Sequence, residues 1–170
     1  MNFKKGFIPI ILICLVACKS AKISSKETNR TGIFSVKELQ KEKWMRVEYK
    51  LYSPNDLIVD SLKLFDSYNI VIIGGEWCSD TRLQLPRFIK ILDKIQFSSK
   101  NLTITLVDKS KECEKCEGYL KDKFLIRFVP TFIIYNKSNN EIGRIVETPI
   151  RSLEADLLKI LMAKNLNDKK

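Results

Sequence analysis

The stretch Asn69-Ile70-Val71-Ile72-Ile73-Gly74-Gly75-Glu76-Trp77-Cys78-Ser79-Asp80-Thr81 decides the reading of this chain. Four consecutive apolar residues, Ile70 to Ile73, read as a strand buried on both faces, and Gly74-Gly75 ends it. From Asp80 to about Phe97, Leu85, Phe88, Ile89, Leu92 and Ile95 recur at helical spacing, so Cys78 stands at a strand-to-helix turn. Pro86 inside this helix should kink it. Further strands are expected at Leu102 to Val107, closed by Asp108, and at Thr131 to Tyr135. Ser138-Asn139-Asn140 is a turn signal, with Glu141 to Glu147 as the hairpin partner. Lys111 to Phe124 is polar and partly helical, and Arg151 to Leu166 is an amphipathic terminal helix. Upstream, Ser35 to Glu38 has capping-box spacing, and Trp44 to Tyr52 admits strand or helix. Ser53-Pro54 reads as the start of a helix running to Asp66. This order predicts an α/β sheet covered by helices. Parallel strands carry their reactive positions at the C-terminal edge, which places Cys78 and the Asp108 to Cys116 loop together.

The bulk numbers narrow the function classes. A chain of 170 residues fits one globular domain with an N-terminal extension. Histidine is absent, which excludes Cys-His and Ser-His catalysis and any His-ligated metal. The formal charge is +10, but the lysines are scattered and no nucleic-acid motif accompanies them, so the excess is read as solubility.

The first residues read as a targeting segment. Lys4-Lys5 is followed by an apolar run from Phe7 to Ala17, shorter than the roughly 20 residues a spanning helix needs. Leu15-Val16-Ala17-Cys18 resembles the end of a bacterial lipoprotein signal. The resemblance implies cleavage before Cys18, acylation of Cys18, and a place in the bacterial cell envelope, held to a membrane and facing the exported side. Residues 1–17 would then be signal and 18–32 a lipidated cysteine with a flexible tether rich in Lys, Ser, Thr and Asn. Residues 33–68 would form a helical extension and 69–166 the main domain.

Trp77-Cys78 at a strand-to-helix turn, Pro86 eight residues later, and Val129-Pro130-Thr131 before the next strand together resemble the thioredoxin superfamily. The stretch from Gly75 to Thr81 is similar to a bacterial thioredoxin-like subfamily with a Trp-Cys-x-Asp pattern and one active-site cysteine. The resemblance implies a thioredoxin-like fold, a central mixed sheet flanked by helices. It also implies a cis Pro130 beside Cys78, and no dissociable cofactor. Two positions depart from the family pattern. Thr81 replaces the second cysteine, and Ile72 stands where thioredoxins place a buried Asp.

A thiolate is the attacking species, and a helix N-terminus favours it. Thr81 could offer its hydroxyl to the sulfur, whereas Glu76 and Asp80 oppose negative charge there. Cys113-Glu114-Lys115-Cys116 has three competing readings: a local disulfide, a source of the missing resolving thiol, or a metal site. Metal is the weakest, because zinc wants four ligands. Arg82 and Arg127 read as exposed, and Phe128 and Val129 as packing residues.

The leading expectation is thiol–disulfide exchange on exported proteins or small thiols. Cys78, Thr81 and Pro130 would be catalytic, with Trp77, Val129 and Thr131 presenting a surface to substrate. Cys113, Cys116 or an external reductase would release the product. Two alternatives stay open: a thiol peroxidase, and a binding lipoprotein that keeps the fold without redox chemistry.

Overall fold

The computed structural model describes residues 30–66, 68–113, 116 and 124–167. Five strands form one mixed sheet: β1 (Gly32–Ile33), β2 (Tyr68–Gly74), β3 (Leu102–Leu106), β4 (Thr131–Asn136) and β5 (Glu141–Val146). The spatial order is β1-β3-β2-β4-β5. β2 and β3 are parallel, with Ile70 opposite Leu102 and Gly74 opposite Leu106. β4 runs antiparallel to β2, and β5 antiparallel to β4. β1 adds antiparallel to β3 across the expected boundary between tether and helical extension.

The described helices are α1 (Val36–Leu39), α2 (Lys43–Leu51), α3 (Asp56–Leu62), α4 (Ser79–Lys94) and α5 (Leu153–Asn167). Ser35 caps α1 in a complete capping box with Glu38. The ambiguous stretch Trp44 to Tyr52 is helical, because Met45 points into the core with the rest of that face. The cap of α3 is a correction: Asn55, not Ser53, accepts the backbone N–H of Ile58 at 3.2 Å. Pro86 does not end α4, which continues to Lys94.

The period-2 alternation of β2 explains both faces of the sheet. Ile70 and Ile72 point to one side with Ile104, Leu106, Phe132 and Ile134 and meet residues from all five helices. Phe88 of α4 tilts against Phe132 there, with ring centroids 4.5 Å apart. Ile73 and Ile133 point to the other side and pack with Val107, Cys113, Ile126 and Val129. The expected division between an extension at 33–68 and a domain from 69 is not a packing boundary. Leu39, Met45 and Leu62 belong to the same core as the sheet. The expected partly helical stretch from Lys111 to Phe124 lies in good part outside the described residues.

Candidate active site

The two glycines at the end of β2 are explained by what lies against them. A Cβ on Gly74 would sit 2.8 Å from Thr81 Cγ2, and one on Gly75 2.5 Å from the Trp77 indole nitrogen. The chain then turns sharply, with the Cys78 N–H donating to the Gly75 carbonyl at 2.9 Å. Trp77 lies over this turn and donates its indole N–H to the Val107 carbonyl at 3.0 Å. The Val107 N–H in turn donates to the Gly74 carbonyl at 2.8 Å. The ends of β2 and β3 are therefore joined at one edge, as the parallel pairing requires.

Cys78 is the N-cap residue of α4, where unpaired helix N–H groups favour a negative charge. It is half-buried and is the free cysteine among the described residues. Its Sγ–H donates to the Val129 carbonyl at 3.1 Å. The Val129–Pro130 peptide is cis, so this carbonyl belongs to the bond that precedes the proline ring. The loop is held on both sides. Thr131 donates its hydroxyl to the Phe128 carbonyl at 2.7 Å, and the Glu147 N–H donates to the Pro130 carbonyl at 2.7 Å. Cys78, Trp77, Val129, Pro130 and Thr131 thus form one constellation, assembled from two segments fifty residues apart.

Thr81 is placed differently from expectation. It is fully buried, and its Oγ1 accepts the Gly75 N–H at 3.1 Å rather than serving the sulfur. Phe128 was read as a packing residue but is 53% exposed beside the proline loop. Val129 is buried as expected. Ile72 is fully buried in the main core, so that position brings no titratable group toward the thiol. Asp80 lies in the first turn of α4. Glu76 is buried and paired with Arg30, while Arg82 is half-buried and donates to the Glu76 carbonyl. Arg127 is exposed.

Cys113 and Cys116 are joined as a disulfide with sulfurs 2.00 Å apart. The Cys116 N–H closes a turn onto the Cys113 carbonyl at 3.1 Å. Cys113 is buried with Ile73, Val107, Ile126, Val129 and Ile133, and Trp77, Cys78 and Cys116 pack against the same cluster. The bridge and the free thiol therefore share one apolar patch at the sheet edge. The loop before it is pinned by Asp108, which accepts the Ser110 hydroxyl at 2.6 Å and the Glu112 N–H at 3.0 Å. These bonds hold the Asp108 carboxyl below its ordinary value. A hollow of about 600 Å³, lined in part by Asn69, Val71, Thr103 and Tyr135, opens at the far end of β2 and does not include Cys78.

A family model described as thioredoxin matches residues 28–158. The chain belongs to the thioredoxin family. No curated protein matches the sequence. Among solved structures, a Pseudomonas aeruginosa protein of unknown function is similar at 17% identity and a TM-score of 0.46, over 79% of this chain and 77% of that one. An HIV epitope scaffold is similar at 16% identity and a TM-score of 0.44, over 78% of this chain and 79% of that one. Ile72 and Thr81, the two departures from the thioredoxin pattern read in the sequence, both face inward and are fully buried. The family match begins before Arg30, in the stretch read from sequence as tether. Sequence reasoning did not find Arg30, because its partner Glu76 lies 46 residues away and no local pattern links them.

Proposed function

We propose that this thioredoxin-family protein carries out thiol–disulfide exchange through Cys78, on exported proteins or small thiols. One observation carries the reading: a half-buried free thiol stands on the N-cap residue of α4 and bonds the carbonyl next to a cis proline. In the first step the Cys78 thiolate attacks one sulfur of a substrate disulfide. A Cys78–substrate disulfide forms, and the other substrate sulfur leaves as a thiolate. A second thiol then attacks that mixed disulfide, frees the substrate thiol and takes its place. No net electrons are supplied by Cys78 itself, so a single thiol suffices for exchange but not for storing a reducing pair. The second thiol is that of an external reductase, or Cys113 or Cys116 after an external dithiol has reduced the bridge that joins them. The shared apolar patch supports the internal route. Pro130, Val129 and Thr131 present backbone to an extended substrate, and Trp77 flanks the thiol.

The test is exchange between glutathione and a fluorescent peptide disulfide. Wild-type protein should accelerate it, and Cys78→Ser should return the rate to background. Equal rates for the two would reject the reading. A second reading, a binding module without redox chemistry, is favoured by the fully buried Ile72. It expects peptide binding that survives Cys78→Ser.

The same proposal places the protein on a membrane through lipid on Cys18, in the bacterial envelope. The support is the Leu15-Val16-Ala17-Cys18 ending of the apolar run, which lies outside the described residues. Among the described residues, no helix is long and apolar enough to cross a membrane. Cells fed radiolabelled palmitate should label the wild type and not Cys18→Ser; an unlabelled wild type would remove the anchor.

A further inference from the structure

Glu76 is one of two buried carboxylates among the described residues, and it stands two positions before Cys78. A buried carboxylate without a partner is costly. One residue supplies that partner. Arg30 Nε donates to both Glu76 oxygens, at 3.2 and 3.1 Å, and Nη2 also donates to Oε1. The Arg30 backbone N–H adds a longer bond to Oε2 at 3.4 Å. The fork-shaped guanidinium suits this paired contact in a way a lysine does not. The arginine is itself held, by Glu42 at 3.0 Å and by the Phe34 ring, 5.1 Å from its Cζ. On the backbone side of the same residue, Arg82 donates to the Glu76 carbonyl. The turn that presents Cys78 is thus fixed between an arginine from its own helix and one from the segment preceding β1.

We propose that Arg30 is a positioning residue for Cys78: it reaches from the N-terminal segment to neutralise Glu76 and hold the reactive turn. This gives Glu76, the residue before the Trp-Cys pair, a fixed partner. It also makes the reactivity of the thiol depend on the end of the stretch read from sequence as tether. The inference deepens the exchange reading and takes its functional meaning from it, but its test does not require exchange.

The experiment is alkylation of the full-length chain in detergent micelles by iodoacetamide at pH 7, read at Cys78 by peptide mass spectrometry, with Cys113 and Cys116 left oxidised. Arg30→Gln should slow Cys78 about five-fold, because a buried carboxylate left without its partner displaces the turn that carries the thiol. Arg30→Gln with Glu76→Gln should restore the rate to within about two-fold of wild type, since the charge and its partner go together. A wild-type rate in Arg30→Gln, or a double variant as slow as the single one, would overturn the inference. A role in stability alone would lower the thermal midpoint of Arg30→Gln and leave the alkylation rate of Cys78 in the folded protein unchanged. Should Arg30→Gln fail to fold in a thermal melt, the double variant decides alone. Near-wild-type alkylation then supports the inference, and a rate reduced about five-fold or more overturns it. Wild-type Cys78 that alkylates readily yet exchanges with no peptide disulfide would sink the exchange reading and leave the role of Arg30 standing.

Discussion

Thr81 stands where a dithiol protein of this family has its second cysteine, and it is spent on the fold. Its hydroxyl accepts the Gly75 N–H, and its methyl fills the space that a side chain on Gly74 would need. Thr81→Val keeps the shape and removes the acceptor, leaving a buried N–H unpaired at a cost of about 1–3 kcal/mol. A urea melt should show that loss, while iodoacetamide alkylation of Cys78 in the folded protein stays within about two-fold of wild type. A collapse of alkylation without loss of stability would mean that the hydroxyl serves the sulfur after all. At this scale the sequence was informative wherever the signal was local. Trp77-Cys78 after a buried strand and Val129-Pro130-Thr131 before another each carry their own signature. The partners of Thr81, Glu76 and Phe128 were not legible, because each depends on a side-chain direction or on a residue tens of positions away.

Elements are tied together by a second buried carboxylate, far from the thiol. Glu154 in the first turn of α5 accepts the Tyr52 hydroxyl at 2.6 Å and the Asn55 N–H at 3.0 Å. It thereby fastens α5 to the connection between α2 and α3. Burial opposes ionisation of Glu154, but the bonds from Tyr52 and Asn55 outweigh it and hold its carboxyl below the ordinary value. Burial, reinforced by the bond to Glu154, pushes the Tyr52 hydroxyl well above its usual range. A carboxyl lowered on folding contributes stability above its unfolded value, and that contribution is lost as pH falls through its folded value. Urea midpoints measured from pH 7 down into the carboxylate range should therefore drop on acidification, and drop less steeply in Glu154→Gln. Identical slopes for the two proteins would show that Glu154 is not a source of acid sensitivity. Neither Glu154 nor Tyr52 stood out in the sequence, since a charged residue at a helix start reads as solvated and Tyr52 ends an ambiguous segment. The elements themselves were largely legible from period-2 and period-3.6 patterns. The start of α3 was missed because Asn55, one residue past the Ser-Pro signal, is the better placed acceptor.

For the molecule as a whole, the mixed sheet and its helices followed from the order of elements, and membership of the thioredoxin family from three short matches in register. The packing of residues 33–68 did not, because Leu39, Met45 and Leu62 reach the core individually and no long apolar run announces them. Nor could the spacing of Cys113 and Cys116 choose between a bridge, a resolving pair and a ligand set; the folded chain pairs them with each other, against the patch that also receives Cys78. One edge of one sheet thus brings a free thiol, a cis proline and a neighbouring disulfide together. The proposed function makes Cys78 an exchange nucleophile there. The most direct measurement is disulfide mapping by mass spectrometry after brief exposure of the native full-length chain to glutathione disulfide. The expected product is glutathione on Cys78, or a bond from Cys78 to Cys113 or Cys116. A Cys78 that stays unmodified while native, yet reacts once the chain is unfolded, would contradict the proposed function.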